Sequence, residues 1–159
     1  MFKGIKSVIF DLGGVIYAVD YHKTINGFKA LGIDHFEEVY AKAGQSDLFN
    51  DFEEGKISRA IFVERIKNLS RKNMTSSQIV NAWNGMLLGF MPDAIACLKR
   101  LSSSYRLFLL SNTNEIHIQE IENRSVQCFF QIFILCLKMF ICLMNWVCEN
   151  HILKFLNIY

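Results

Sequence analysis

A short apolar strand that ends in a carboxylate and two glycines constrains the fold of this chain more than any other feature. The stretch VIFDLGGVIY begins at residue 8, and its apolar residues lead directly into Asp11. The segment Lys6 to Leu12 is brief, β-branched and aromatic, and Gly13 and Gly14 follow it, which predicts a buried strand. A strand end of this kind could hold a nucleophile or a metal ion, or it could be an ordinary turn that contains an aspartate.

A second strand with a polar end lies about a hundred residues further on. The apolar run YRLFLLSN stops at Ser111 and Asn112, with the helical patterns DAIACLKRL before it and TNEIHIQEIENR after it. Strands that alternate with helices predict a parallel sheet, and such sheets bind ligands at the carboxyl ends of their strands. We therefore expect Asp11 and Ser111 at the same edge of one sheet.

The region between the two strands has a helical pattern from residue 21 to about 88. Gly32 and Gly44 are expected to end two helices, and Ser58 is expected to begin another. Thr75, with a glutamine three residues later, fits a capping box. About four helices with short connections are predicted, enough for a small bundle.

Composition excludes several classes of protein. The 159 residues carry a net charge of only +2 with scattered basic residues, so no nucleic-acid partner is expected. The five cysteines form no Cys-x-x-Cys pair and no secretion signal is visible, which favours a reduced, cytoplasmic setting. His22, His35 and His117 are interpreted as surface or helix-end residues, and Trp83 as a core residue of the helical region.

An aspartate beside bare backbone suits phosphoryl transfer. A carboxylate can attack phosphorus and form an aspartyl-phosphate, which splits one difficult displacement into two easier ones. Mg²⁺ can neutralise the charge on the phosphoryl oxygens, and the N–H groups of a glycine-rich turn can hold those oxygens. A hydroxyl such as that of Ser111 could bind a further phosphoryl oxygen.

The residues resemble a known family. VIFDLGGVIY is similar to the first motif of the haloacid dehalogenase-like (HAD) hydrolase superfamily, and LFLLSNTNEIH to its second. FEEGKIS and AWNGML resemble cap sequences of its sugar-phosphate phosphatase branch, including α-glucose-1-phosphate phosphatases. The resemblance covers residues 3 to 124. It implies an α/β fold: a Rossmann-like HAD core with an incomplete parallel sheet (residues 1–16 and 91–124) and an inserted α-helical C1 cap (residues 17–90).

The resemblance also implies roles for single residues. Asp11 would be the catalytic nucleophile and a Mg²⁺ ligand, and the carbonyl of Gly13 would be a second ligand. Ser111 and the Asn112 amide would bind the phosphoryl group, for which Gly14 leaves room. The implied substrate is a small phosphorylated metabolite, such as a sugar phosphate.

The chain departs from the family pattern at several motifs. Most phosphatases of the superfamily carry a second aspartate, a general acid, where this chain has Gly13. The lysine of the third motif, usually inside GxRKPxPxxF, and the acidic pair of the fourth are not visible. The alternatives are an inactive truncated fragment, a membrane-tethered non-enzymatic relic or a 2-haloacid dehalogenase, although dehalogenases of the superfamily lack the paired glycines.

The composition changes near residue 125. Residues 126–148 read VQCFFQIFILCLKMFICLMNWVC, which is long enough for a membrane span. Lys138 lies near its centre, where a charge costs about 2.5 to 3.5 kcal/mol on insertion scales, so a membrane anchor is not favoured.

The genetic code suggests another origin for this tail. If the residues from Met139 onward are back-translated and the frame is moved by one base, the junctions allow the reading V-H/Y-L/M-S-H-E-L-G-L/M/V-R-K-P-H/Y-P. This string resembles the missing third motif. Our hypothesis is a frame change between about Asn123 and Phe133, so that residues 125–159 are an out-of-frame apolar tail. It predicts GAA for Glu149 and AAC for Asn150.

Overall fold

The chain forms a small parallel sheet with helices and a separate layer of helices above the carboxyl ends of its strands. The computed structural model describes residues 4–41, 47–124 and 139–142. The strands are β1 (Ser7–Phe10), β2 (Tyr17–Val19), β3 (Leu87–Phe90), β4 (Arg106–Ser111) and β5 (Met139–Cys142). The helices are α1 (Tyr21–Ala30), α2 (Phe36–Ala41), α3 (Asp47–Glu53), α4 (Arg59–Lys67), α5 (Ser76–Trp83), α6 (Pro92–Ser102) and α7 (Glu115–Arg124).

The main sheet has the order β1-β4-β5, and both of its pairings are parallel. Phe10, the last residue of β1, is aligned with Leu109 of β4, so the two strands end at the same edge. Helices α6 and α7 flank β4 in sequence, and leucines of α6 and β4 pack in one apolar cluster. The prediction of an α/β fold with a parallel sheet is confirmed.

The helix boundaries follow the local signals in the sequence. Ser58 and Thr75 are N-caps, and Thr75 forms the predicted capping box with Gln78. Pro92 is in the first turn of α6. Gly32 follows α1 with φ +89°, a left-handed conformation that a glycine adopts without the cost of a Cβ atom. The predicted helix end at Gly44 lies outside the described residues.

Five helices, α1 to α5, form a cap with its own aromatic core. Trp83 is fully buried there, and Phe28 and Phe36 stack on each other with ring centroids 4.1 Å apart. Phe52 and Phe62 stack at the same distance. The prediction that Trp83 belongs to the core of the helical region agrees with this packing.

The ends of the cap differ from the expectation. The sequence predicts a helical pattern from residue 21 to about Leu88 within a cap of residues 17–90, but α5 ends at Trp83, and a 3₁₀ turn leads into β3. Strands β2 and β3 pair antiparallel, because the chain enters and leaves the cap side by side. In this pairing, backbone N–H and C=O groups of β3 form hydrogen bonds with β2. A helix that continued through β3 would have used those groups within the helix instead.

The tail is described only at Met139–Cys142, where the backbone forms β5 beside β4. The sequence did not predict this strand. The rest of the tail lies outside the described residues, and this includes the remainder of the apolar stretch 126–148, for which a membrane anchor was not favoured. Within the described ranges, no helix is long and apolar enough to cross a membrane. The predicted domain boundaries and the frame change stay predictions.

Candidate active site

Asp11 follows β1 directly and is exposed. Its Oδ1 accepts a hydrogen bond of 2.6 Å from the backbone N–H of Leu12. The carbonyl of Leu12 in turn accepts from the N–H groups of Ile16 and Tyr17, both at 2.9 Å, and the Leu12 side chain is buried. The turn after β1 is therefore anchored in the core, and it holds the carboxylate at the edge of the sheet.

The two glycines of this turn differ in what they require. Gly14 has φ +73°, which other residues rarely adopt, and its N–H donates to the carbonyl of Tyr17. A Cβ atom at Gly13 would approach only Cγ1 of Val19, at 3.9 Å, an ordinary contact. The positive φ angle thus accounts for a glycine at position 14, whereas the space around Gly13 would admit a side chain.

The end of β4 lies beside this turn, as the sequence predicts. Ser111 ends the strand and is only 3% exposed, while Asn112 is exposed. Thr113 and Asn114 are buried before α7 begins. The parallel pairing of β1 with β4 therefore brings Asp11 and the Ser111–Asn112 pair to the same edge.

Two adjoining cavities open at this edge. The larger, of about 280 Å³, is lined by side chains of the sheet edge and of the cap: Asp11, Gly13, Tyr21, Tyr40, Glu53, Met86, Asn112, Thr113 and His117. A recess of about 60 Å³ is lined by Leu12, Gly13, Ser111 and Asn112, among others. Gly14 lines neither of these two cavities. The structure therefore brings Asp11, Gly13 and Asn112 together, with Ser111 next to them.

The cap contributes a carboxyl group to the larger cavity. Glu53, the last residue of α3, accepts a hydrogen bond of 3.2 Å from Nδ2 of Asn112. Burial raises the pKa of Glu53, and the hydrogen bond from Asn112 opposes that rise. Burial, with smaller effects from Glu53 and Tyr21, raises the pKa of Tyr40 to about 12.

A second junction between cap and core lies at the wall of the cavity. The ring of His117 in α7 stacks on Trp83 of the cap, with centroids 5.1 Å apart and planes 13° apart. Asn114 Oδ1 accepts from the His117 backbone N–H at 3.1 Å and from Trp83 Nε1 at 3.4 Å. Both partners are obligate donors, so the orientation of the Asn114 amide is fixed.

The fixed amide also determines the protonation of the imidazole. Asn114 Nδ2 faces His117 Nδ1 at 3.2 Å, so Nδ1 accepts, and Nε2 donates to the carbonyl of Trp83 at 3.3 Å. Burial lowers the pKa of His117 to about 4, although the bond to the Trp83 carbonyl opposes this shift. His117 is therefore neutral near pH 7.

The prediction for His117 was a position on the surface or at a helix end, and the surface position is wrong. It is near the start of α7, but it is buried because the cap covers that end of the helix. The sequence also missed the place of Glu53 in the cavity. FEEGKIS resembled a cap sequence, but nothing in it showed which glutamate would reach the core.

The oxygen donors for a divalent cation are few in the described part of the chain. The carboxylate of Asp11 and the carbonyl of Gly13 are of the type that Mg²⁺ prefers. Among the described residues, no group of three or more His, Cys, Asp or Glu side chains could hold a metal ion. The roles of Asp11, Gly13, Gly14, Ser111 and Asn112 stay predictions.

Known proteins are similar to this chain in sequence and in structure. No family model matches the chain. A D-ribitol-5-phosphate phosphatase from Bacteroides thetaiotaomicron is 33% identical over 110 residues, which are 69% of this chain and 53% of that protein. The chain thus spans about half the length of this curated relative.

Solved structures agree with that likeness. A HAD family enzyme from Bacteroides thetaiotaomicron, in complex with magnesium and inorganic phosphate, has a TM-score of 0.80 at 28% identity, over 96% of this chain and 77% of that one. A predicted HAD-like family hydrolase from Porphyromonas gingivalis has a TM-score of 0.72 at 25% identity, over 96% and 74%. With the two strand-end motifs in one cavity beneath a helical cap, these likenesses show that the chain belongs to the haloacid dehalogenase-like superfamily.

Proposed function

We propose that the chain is a Mg²⁺-dependent phosphatase that hydrolyses a small phosphomonoester through an aspartyl-phosphate on Asp11. The observation that carries this proposal is the position of Asp11, exposed after β1 and in one cavity with Asn112. A relative that is a D-ribitol-5-phosphate phosphatase and a similar HAD family enzyme that was solved with magnesium and inorganic phosphate support it.

The chain's own residues have distinct tasks in this proposal. Asp11 attacks phosphorus, and Ser111 and Asn112 orient the phosphoryl group beside it. The backbone N–H of Gly13 is offered to a phosphoryl oxygen, whereas that of Gly14 already donates to the carbonyl of Tyr17. Backbone donors that are already in place need little reorganisation when charge develops on those oxygens.

The shape of the cavity supports a small substrate. About 280 Å³ lies near the lower end of the range of small-molecule sites, and the cap covers it. The curated relative acts on a phosphorylated polyol, as its name states. We therefore propose a sugar or polyol phosphate as the class of substrate.

Asp11 and the carbonyl of Gly13 would hold Mg²⁺. The bound ion would neutralise charge on the phosphoryl group. Mg²⁺ commonly takes only one or two carboxylates from a protein and completes its shell with water and phosphate oxygens, so this pair fits part of such a site.

A second candidate is an inactive chain with the catalytic half-site alone. Among the described residues, no lysine lines the cavity of about 280 Å³, and this observation favours the inactive chain. The frame proposal accounts for this, because the shifted reading supplies a lysine shortly after the position of β5.

One assay separates the two candidates. The purified 159-residue protein is incubated with p-nitrophenyl phosphate and Mg²⁺, beside its Asp11→Asn variant. We expect hydrolysis by the parent chain and none by the variant, with circular dichroism showing that both are folded. Equal rates for the two proteins would refute the proposed nucleophile, and a folded parent chain without activity would support the inactive half-site.

A further inference from the structure

The turn after Asp11 offers no acid for the group that leaves. The residues from Leu12 to Tyr17 carry apolar side chains or none, apart from the phenol of Tyr17, which is buried. A phosphomonoester of a sugar or polyol releases an alkoxide, which is a poor leaving group unless it receives a proton. General acid catalysis contributes about 10²- to 10⁴-fold. A phosphatase with this turn needs the proton from another part of the cavity.

Five ionisable side chains line the cavity that contains Asp11, and four of them do not suit this task. Asp11 is itself the nucleophile. His117 uses both ring nitrogens, in hydrogen bonds to Asn114 and the Trp83 carbonyl, and its pKa is about 4. Two others, Tyr21 on α1 and Tyr40 on α2, are phenols, far weaker acids than a carboxyl group.

The remaining group is Glu53, which α3 brings from the cap to the end of β4. Its hydrogen bond to Asn112 places the carboxyl group beside a residue that we assign to the phosphoryl group. We propose that Glu53 is the catalytic general acid that protonates the leaving oxygen. The inference rests on the proposed function and names a residue for a step that Gly13 cannot perform.

The burial of Glu53 agrees with this role. Burial raises its pKa, so the carboxyl group keeps its proton at a higher pH than an exposed glutamate does. A bound phosphate would add negative charge nearby and raise that pKa further. Both effects favour the protonated form of the Glu53 carboxyl group when substrate is bound.

The proton and the bonds balance over the two half-reactions. An Asp11 oxygen forms a bond to phosphorus while the bond from phosphorus to the substrate oxygen breaks, and the Glu53 proton goes to that oxygen, so an alcohol leaves. The Glu53 carboxylate then takes a proton from a water molecule whose oxygen attacks phosphorus. The bond from phosphorus to Asp11 breaks, phosphate leaves, and Glu53 is protonated again.

Substrates with different leaving groups test this role. Glu53→Gln is compared with the parent chain on p-nitrophenyl phosphate, whose phenolate leaves without a proton, and on an alkyl phosphomonoester, whose alkoxide needs one. We expect kcat/KM to fall about 10²-fold or more on the alkyl ester and only a few-fold on the aryl ester. Equal losses on both substrates would overturn the proposal.

The neighbouring glutamate provides a matched control. Glu54 is exposed and pairs with Lys56 at 2.5 Å, so Glu54→Gln makes the same chemical change outside the cavity. We expect Glu54→Gln to retain activity on both substrates. Gly13→Asp in the Glu53→Gln background adds a carboxyl group to the same cavity at a position with space for it, and should restore part of the alkyl activity.

A binding experiment tests Glu53 independently of turnover. Calorimetry of inorganic phosphate binding with Mg²⁺, in buffers of different ionisation enthalpy, counts the protons taken up. The parent chain and Glu54→Gln should take up more protons near pH 7 than Glu53→Gln. All three proteins share the other ionisable groups that face Glu53, which are Asp11, Tyr21, Tyr40 and His117, so a difference in uptake is due to Glu53. Equal uptake would overturn the role of Glu53. A parent chain that binds phosphate with this uptake but hydrolyses neither ester would contradict the proposed function alone.

Discussion

The cap and the sheet of this protein are packed to different degrees. The cap encloses an aromatic core in which Phe28, Phe36 and Trp83 are fully buried. The main sheet has a smaller core, and within the described residues β1 has β4 on one side only. Ile9, in the middle of β1, is 48% exposed. The aromatic core of the cap is enclosed, whereas this edge of the sheet leaves apolar surface exposed.

The contrast shows where stability and chemistry reside. Burial of large apolar side chains is the main favourable term in folding, so the cap should contribute most of the stability. The proposed nucleophile and phosphate-binding residues all come from the sheet edge. The cap holds this edge through the Glu53–Asn112 bond and the Trp83–His117 stack, so its stability also supports the site.

Removal of a cap aromatic should have the largest effect. Phe62 is fully buried and stacks on Phe52, so Phe62→Ala should lower the free energy of unfolding by about 3 to 5 kcal/mol. Urea unfolding followed by circular dichroism measures it. Phe62→Leu, which leaves a smaller cavity, should cost clearly less, and a loss below 1 kcal/mol for Phe62→Ala would contradict the described packing.

Acid should weaken the junction between cap and core. The pKa of His117 is lowered by burial from 6.5 to about 4, so the unfolded chain binds more protons between these values. The contribution of His117 is complete above pH 6.5 and is lost as the pH falls towards 4, by up to about 3 kcal/mol.

Variants of two histidines isolate this effect. Urea unfolding at pH 7 and pH 4.5 should show a smaller pH dependence for His117→Gln than for the parent chain. His35→Gln, at an exposed position before α2, should keep the parent's dependence. The same pH dependence in all three proteins would show that His117 is not the group responsible.

Loss of a helix cap should have an intermediate effect. Thr75 Oγ1 accepts from the backbone N–H of Gln78 at 3.2 Å, and Gln78 Oε1 accepts from that of Thr75 at 2.8 Å. Thr75→Ala should destabilise the protein by about 1 kcal/mol, because a backbone donor at the start of α5 loses its partner. Thr75→Ser keeps the hydroxyl and should be close to the parent in the same urea titration.

The exposed position Ile9 in β1 should tolerate substitution. Ile9→Ala removes apolar surface that is already half in water, so the free energy of unfolding should change by less than about 0.5 kcal/mol, apart from a small loss of strand propensity. The neighbouring Leu107→Ala, at a fully buried position of β4, should cost about 2 to 5 kcal/mol. If Ile9→Ala were as destabilising as Leu107→Ala, β1 would be covered and the contrast with the cap would fail.

Much of the fold could be predicted from local patterns. The strand before Asp11, the strand before Ser111 and the caps at Ser58 and Thr75 follow from residues that are close in sequence. The helix predicted through Leu88 was wrong at its end, because strand pairing with β2 competes there and is invisible in a local window. Strand β5 escaped prediction because its apolar segment had no distinct periodicity.

The sequence by itself determined the chemistry available at one sheet edge, since Asp11 and the turn through Gly14 depend on neighbours along the chain. Only the tertiary structure decided which cap residues meet that edge. Glu53 and Asn112 are 59 positions apart, and His117 is neutral because Trp83 and Asn114 enclose it. Such contacts depend on how the cap docks on the core, and no local pattern of residues encodes that geometry.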